Sequence, residues 1–262
     1  MAPFWGASIR FAPASLLLFF VVLVRRLPFP RGKALVGAML FGVLNVAAFF
    51  AFIYWGLLQV SAGLGSIVTS LVPLLTFLLA YIQGVETFRW RGALGALLAV
   101  GGIVVVFREQ ISATVPLTSL LALVAAASCA AEAAVVVKLF PKCDPITMNS
   151  IAMGIGSVLL LGLSFLSGEP WILPTKATTW YALGYLIFVG SSILFVLYVF
   201  VIKRWTASGT SYSFVFFPLV AITLGALLAR EPVTTSLILG GALVLIGVYV
   251  GVLYQPRAKT KK

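Results

Sequence analysis

The chain has 262 residues, 62% of them hydrophobic and 9% charged, and its mean hydropathy is +1.15. A soluble domain of this length would leave apolar patches far larger than monomers tolerate, so the composition excludes an ordinary soluble protein and points to the membrane class. Lys and Arg number 18 against 6 acids, a net charge of +12, but they sit between apolar runs, which argues for a topology signal and against nucleic acid as a partner.

A helix that crosses lipid needs ~20 mostly apolar residues, because its backbone polar groups must be satisfied within the segment. Nine runs meet that condition. They predict α1 at 3–24, α2 at 34–57, α3 at 62–83, α4 at 90–107, α5 at 116–139, α6 at 146–167, α7 at 179–202, α8 at 209–229 and α9 at 235–254. The first run is too long for a cleavable signal peptide and no small-residue cleavage pattern follows it.

The connections sort by charge. Arg25, Arg26, Arg31 and Lys33 follow α1, Arg89 and Arg91 follow α3, and Lys138 and Lys142 follow α5. Lys203 and Arg204 follow α7, and the tail holds Arg257, Lys259, Lys261 and Lys262. Alternate connections thus collect 14 basic residues, and the other set has only Arg108, Lys176 and Arg230. Basic loops stay cytoplasmic, so a multi-pass cell-membrane protein is expected, with its C-terminus inside and its N-terminus outside.

Residues 61–107 and 206–252 repeat without a gap at an offset of 145. Pro73 matches Pro218, Glu86 matches Glu231, Gly95 matches Gly240 and Gly102 matches Gly247. At this offset α1 matches α6 and α2 matches α7, while the counterpart of α5 falls before Met1. The expected unit is therefore five helices, duplicated, and this sequence lacks the first of ten, by a truncated start or as a genuine nine-span variant. Five is odd, so the two copies would lie in opposite senses. The expected fold is an all-α integral membrane protein with nine transmembrane helices in an inverted five-helix repeat. Its units are 1–107, 116–254 and a basic cytoplasmic tail, 255–262. Inverted repeats supply two related conformations for alternating access.

These residues resemble the EamA-type branch of the drug/metabolite transporter superfamily. Ser8-Ile9-Arg10-Phe11 is like the start of that family's second helix. Ser61-Ala62-Gly63, Ser70, Pro73 and Glu86 are like its fourth-helix pattern, and Ala207, Ser208, Pro218, Glu231 and Pro232 like its ninth. Gly240-Gly241-Ala242 and Gly247-Val248-Tyr249 resemble its last helix. Val85 splits the usual Gly-Glu pair, and Arg230 stands where the second copy has its glycine. The resemblance implies a ten-helix fold that moves small metabolites across a membrane.

Intramembrane charge marks functional candidates. Glu132 lies well inside α5, as a proton or cationic-substrate site or as a side chain reaching inner water. Arg10 lies about two turns into α1, to bind a substrate carboxylate or to reach outer headgroups. Their depths leave ~10 Å between them in a core ~30 Å thick, which disfavours a direct pair. Pro73 and Pro218 sit mid-span, as fixed bends or as gates, with Thr69 and Ser70 placed to re-satisfy the backbone of α3. Asn45, Tyr54, Tyr198 and Tyr212 are candidates for a cavity flanked by α2, α3, α7 and α8, whose apolar and aromatic lining would suit a small amphipathic substrate. Trp55, Trp180 and Trp205 read as interfacial anchors.

The glycines of α4 and α9 predict close helix packing, and Gly247 with Gly251 could form a homodimer face. Glu86 and Glu231 read as caps of the helices that follow them. The chain has no histidine, and Cys129 and Cys143 have neither metal nor disulfide spacing, so no catalytic residue, metal or cofactor is expected. No phosphate-binding Gly-rich Lys-Ser/Thr loop occurs. The function expected is non-ATP secondary transport, chiefly export, of small organic metabolites such as amino acids or amphipathic compounds. A nucleotide-sugar or phosphate-ester exchanger is the alternative within the superfamily, and a polytopic membrane enzyme lies outside it.

Overall fold

The computed structural model describes residues 2–60, 65, 68–106, 116–140, 142–216 and 235–253. Among these, all regular structure is helical. Five helices are long and apolar enough to cross a membrane: α1 (Pro3–Val24), α2 (Lys33–Leu57), α5 (Leu117–Leu139), α6 (Pro145–Leu166) and α7 (Ala177–Arg204). Shorter described elements are α3 (Val72–Ile82), α4 (Trp90–Val106), α8 (Ala207–Ser211) and α9 (Thr235–Val248). Large apolar side chains such as Leu16, Phe20, Leu166 and Tyr181 face outward, as expected where lipid replaces water as the surrounding medium.

Proline and carboxylates set the helix starts. Pro3 and Pro145 sit in the first turns of α1 and α6, where the missing N–H costs nothing. Asp144 caps α6, accepting from Ile146 N at 2.8 Å and Thr147 N at 3.4 Å. The carboxylate at the start of α1 comes from far along the chain: Glu169 accepts from Phe4 N at 3.1 Å and Trp5 N at 2.8 Å. Trp5 stacks on Trp171 beside it, with ring centroids 5.2 Å apart.

α1 buries Ala7, Phe11, Ala14 and Leu18 along one face, the helical spacing expected of a packed stripe. That face meets α6. Ser8 Oγ donates to Ser157 O at 3.3 Å and Ser15 Oγ to Ser150 O at 2.7 Å. Residue numbers rise along one helix as they fall along the other, so the two are antiparallel. Small side chains let α5 run through the centre: Ala126, Ala127, Ala130, Ala131, Ala133 and Ala134 are all fully buried.

α4 and α9 cross at glycines, also antiparallel. A Cβ on Gly95 would lie 2.4 Å from Gly251 Cα, and one on Gly247 would lie 2.6 Å from Ala99 N. A Cβ on Gly102 would lie 2.6 Å from Gly240 O. The contacts are reciprocal at the offset of 145: Gly95 meets Gly247, and their counterparts Gly240 and Gly102 meet each other. Gly247 and Gly251, expected from the sequence to pack closely and also to be open to a second copy, pack here against α4 of the same chain.

Two features were not expected. First, α2 and α7 each contain a π-helical segment, Gly42–Ala48 and Leu186–Ile193. Shifted by 145, the first falls on 187–193. Second, α3 is not one helix bent at its proline. Residues 70 and 71 form a turn, and the helix begins at Val72 with Pro73 in its first turn. Pro73 therefore sits in the first turn after a break in the span, which fits its fixed φ and absent N–H. Pro218 and Glu231 lie outside the described residues.

Candidate functional site

A cavity of ≈ 400 Å³ opens where α1, α2 and α7 meet the segments around Thr69 and Ser213. Both π segments face it, through Asn45 on α2 and Gly190 on α7. A π segment shifts the backbone ladder to i→i+5 bonding and often marks a functional site. Here it turns the Gly190 carbonyl and the Ser191 side chain toward α1. Arg10 Nε donates to Ser191 Oγ at 2.8 Å, and Arg10 Nη2 donates to Gly190 O at 3.1 Å. Ser191 is buried and Arg10 half-buried, so the guanidinium has a fixed orientation at the cavity wall.

Aromatic rings build the rest. The Arg10 guanidinium carbon lies 4.9 Å from the Phe11 ring centroid and 5.3 Å from that of Phe50, within cation–π range. Phe50 meets Phe11, Phe49 and Tyr54 edge-on at 4.7, 5.0 and 5.4 Å. Phe214 meets Phe49 and Tyr198, both at 6.3 Å. Tyr198 lines the cavity, and its hydroxyl is buried with no hydrogen-bond partner among the described residues. Asn45 is 5% exposed. None of the described lining residues is acidic.

Thus Arg10, Asn45 and Tyr198 stand together. Tyr54 packs on Phe50 just behind the wall, close enough to interact with the Arg10 charge. Ser70 is buried beside Thr69, whose side chain lines the cavity and donates to Gly65 O at 3.0 Å.

Two expected site residues lie elsewhere. Glu132 accepts from Gln83 Nε2 at 2.7 Å, so the carboxylate is engaged at the end of α3 and does not line the cavity. The reason is its depth on α5, near the basic end of that helix. Tyr212 is buried and donates to Gly92 O at 3.0 Å. It ties α8 to α4 and borders a separate groove of ≈ 460 Å³ that shares Leu194, Tyr198 and Ser213 with the cavity.

The reading of Glu86 as a cap of α4 is corrected. Its carboxylate accepts from Ala207 N at 2.7 Å and Ser208 N at 3.1 Å, and the Ser208 hydroxyl also donates to it. It caps α8, in the other copy of the repeat, and Arg89 flanks it at 3.8 Å. The sequence held one signal for this: α8 starts Thr206-Ala207-Ser208 with no acid of its own. The aromatic cluster and the Ser191–Gly190 anchor gave no signal, since Phe and Gly are abundant throughout. Among the described residues no cluster of His, Cys, Asp and Glu could hold a metal.

Comparison with known proteins bears on what such a cavity does. The EamA-like transporter family matches residues 1–108 and 117–253. A protein of Archaeoglobus fulgidus named as an uncharacterized transporter is 27% identical over 254 residues, covering 95% of this chain and 88% of that protein. A WAT1-related chloroplastic protein of Arabidopsis thaliana is 27% identical, over 95% of this chain and 62% of its own length. The inner membrane transporter YedA of Escherichia coli K12, also named as uncharacterized, is 28% identical over 87% of this chain and 74% of its own length. One crystal structure superposes with a TM-score of 0.83 at 19% identity, over 98% of this chain and 90% of that one, a likeness of fold.

Proposed function

Because this chain belongs to the EamA-like transporter family and is a multi-pass membrane protein, we propose that it exports small organic metabolites by alternating access about the Arg10 cavity. The observation that carries the proposal is the placement of Arg10: a cation of the first copy, fixed to the π segment of the second, in an aromatic cavity. Such a site between related halves is where a carrier binds its solute.

The same reading takes 1–107 and 116–254 as inverted repeats. Support comes from the antiparallel packing of the equivalent pairs α1–α6 and α4–α9, the reciprocal glycine contacts and the matched π segments. With the basic tail 255–262 cytoplasmic, Glu86 and the start of α8 lie at the inner face. Their hydrogen bonds then close the cavity on that side, and breaking them opens it. A nucleotide-sugar or phosphate-ester exchanger is disfavoured because Arg10 is the one cation among the described lining residues, and a phosphate ester carries more charge than it can balance.

The test is counterflow in proteoliposomes with a panel of labelled amino acids and amphipathic organic acids. Ser213→Trp, which fills the cavity, should abolish flux of any solute the protein moves, while the variant keeps its melting temperature. Flux that persists in the filled variant would remove the cavity from the transport path.

A further inference from the structure

The cavity also specifies a class of solute, an inference that rests on its being the transport site. We infer that the solute is a small monocarboxylate with an aromatic or similarly flat apolar end. Its carboxylate is held between the Arg10 guanidinium and the Tyr198 hydroxyl, and its apolar end lies among Phe49, Phe195 and Phe214.

Charge sets the head group. Arg10 is half-buried, and no acid is among the described residues that line the cavity with it. A cation without a counter-ion in a mostly apolar site favours an anionic ligand. A guanidinium has five N–H donors in a planar fork matched to a carboxylate. Ser191 and Gly190 accept from the Nε side of the group. They orient the fork, with Tyr54 also beside the group, and two acceptors on Nε and Nη2 do not exhaust its five donors. One cation balances one charge, so a dicarboxylate would bring a second charge with no partner.

Tyr198 supplies an independent observation. Tyr198 lines the cavity, and its hydroxyl is buried with no partner among the described residues. Buried polar groups left unpaired are rare in native structures and each calls for an explanation. A ligand oxygen accepting from this hydroxyl is that explanation, and Tyr198 and Arg10 line the same cavity.

The walls set the tail. Phe49, Phe195 and Phe214 offer flat apolar surface, and ≈ 400 Å³ is at the small end of ligand cavities. Aromatic walls also attract cations, but here the guanidinium already lies against Phe11 and Phe50. A cationic solute would meet the Arg10 charge at close range, so the rings serve an apolar tail.

Calorimetry on the purified full-length protein tests this with four probes: 3-phenylpropionate, its neutral amide 3-phenylpropionamide, the cation 3-phenylpropylamine and the dianion benzylmalonate. The expected result is that 3-phenylpropionate binds at least about tenfold tighter than each of the others, the scale of a charge-assisted bidentate pair. Arg10→Gln should erase that preference, bringing 3-phenylpropionate down to the affinity of the amide, and Arg10→Lys should restore part of it. Tyr198→Phe should weaken the carboxylate several-fold without lowering the melting temperature, because the hydroxyl it removes has no partner among the described residues. A merely structural tyrosine would show the reverse.

Equal or tighter binding of the amine or amide, binding of no probe, or a carboxylate preference that survives Arg10→Gln would each overturn the inference. Ser213→Trp separates it from the transport reading. If the amine binds and is lost on filling the cavity, the carboxylate assignment fails and the site stands. If a probe binds equally well to the filled variant, the site itself fails.

Discussion

Replacing Glu86 by alanine is the sharpest test of how the two repeats are coupled. Glu86 is 8% exposed at its side chain, so solvent screens its interactions little. It satisfies the first two backbone N–H groups of α8, at 2.7 and 3.1 Å, and takes a third bond from the Ser208 hydroxyl. The next donor, Gly209 N, has its own acceptor in Thr206 Oγ1 at 2.9 Å, so Glu86→Ala strands two donors rather than the whole helix start. Loss of a cap costs about 0.5–2 kcal/mol, and a carboxylate at a helix N-terminus contributes up to ~2 kcal/mol when partly buried. These overlap, and about 2 kcal/mol is a fair total.

If the contact exists only when the inner face is closed, that energy leaves one state and not the other. The equilibrium then moves roughly 30-fold toward the inner-open form. The assay is labelling of a single cysteine at Ser213→Cys, in a Cys129→Ser, Cys143→Ser background, by a charged thiosulfonate from the inner side of oriented vesicles. Glu86→Ala should speed inner labelling by up to about 30-fold and slow outer labelling. Glu86→Gln, which keeps one acceptor oxygen, should fall between. A lower melting temperature with unchanged labelling would refute the reasoning and make Glu86 a static cap.

Gly247→Ala should destabilise by about 1–3 kcal/mol, read as a lower melting temperature in detergent, because the added methyl meets the backbone of α4, which cannot turn away. Gly162→Ala, with nothing within 4 Å of the new Cβ, should be neutral or stabilising by up to ~1 kcal/mol. Burial pushes the Cys143 thiol up to about 11, with Lys203 opposing the shift and Asp144 adding to it. Its thiolate fraction at pH 8 is therefore ~100-fold below that of an ordinary cysteine. In a Cys129→Ser variant, maleimide labelling should stay slow through pH 9 and rise toward pH 11, and fast labelling at pH 8 would contradict the shift. Glu132→Gln should leave solute affinity unchanged, since Glu132 is bonded to Gln83 away from the cavity. A change in pH-gradient-driven flux at constant affinity would assign Glu132 to coupling.

Much of the architecture is a local property of the sequence. A run of ~20 apolar residues must become a helix in lipid because its backbone has no other way to satisfy its polar groups, so composition alone located α1, α2, α5, α6 and α7. Glycine spacing in α4 and α9 announced a close crossing, since no other residue lets two backbones approach so nearly. The rarity of charge inside these runs singled out Arg10, and Asn45 and Tyr198 followed as the polar members of facing helices. Glu132 shared that rarity but not the location, because depth along a helix does not say which neighbour a side chain meets.

What only the tertiary structure decided depends on residues far apart in sequence. Glu86 sits four residues before α4 yet caps a helix 121 residues later, and Tyr212 bonds Gly92 across 120 residues. The π segments at Gly42–Ala48 and Leu186–Ile193 have no signature in residue type, because one extra residue in a helical turn is tolerated wherever neighbours can meet the displaced carbonyls. In lipid, hydrophobicity drives every span into the membrane alike and cannot choose which faces pair. That choice rests on close fit and buried hydrogen bonds, and these arise only when the helices have come together.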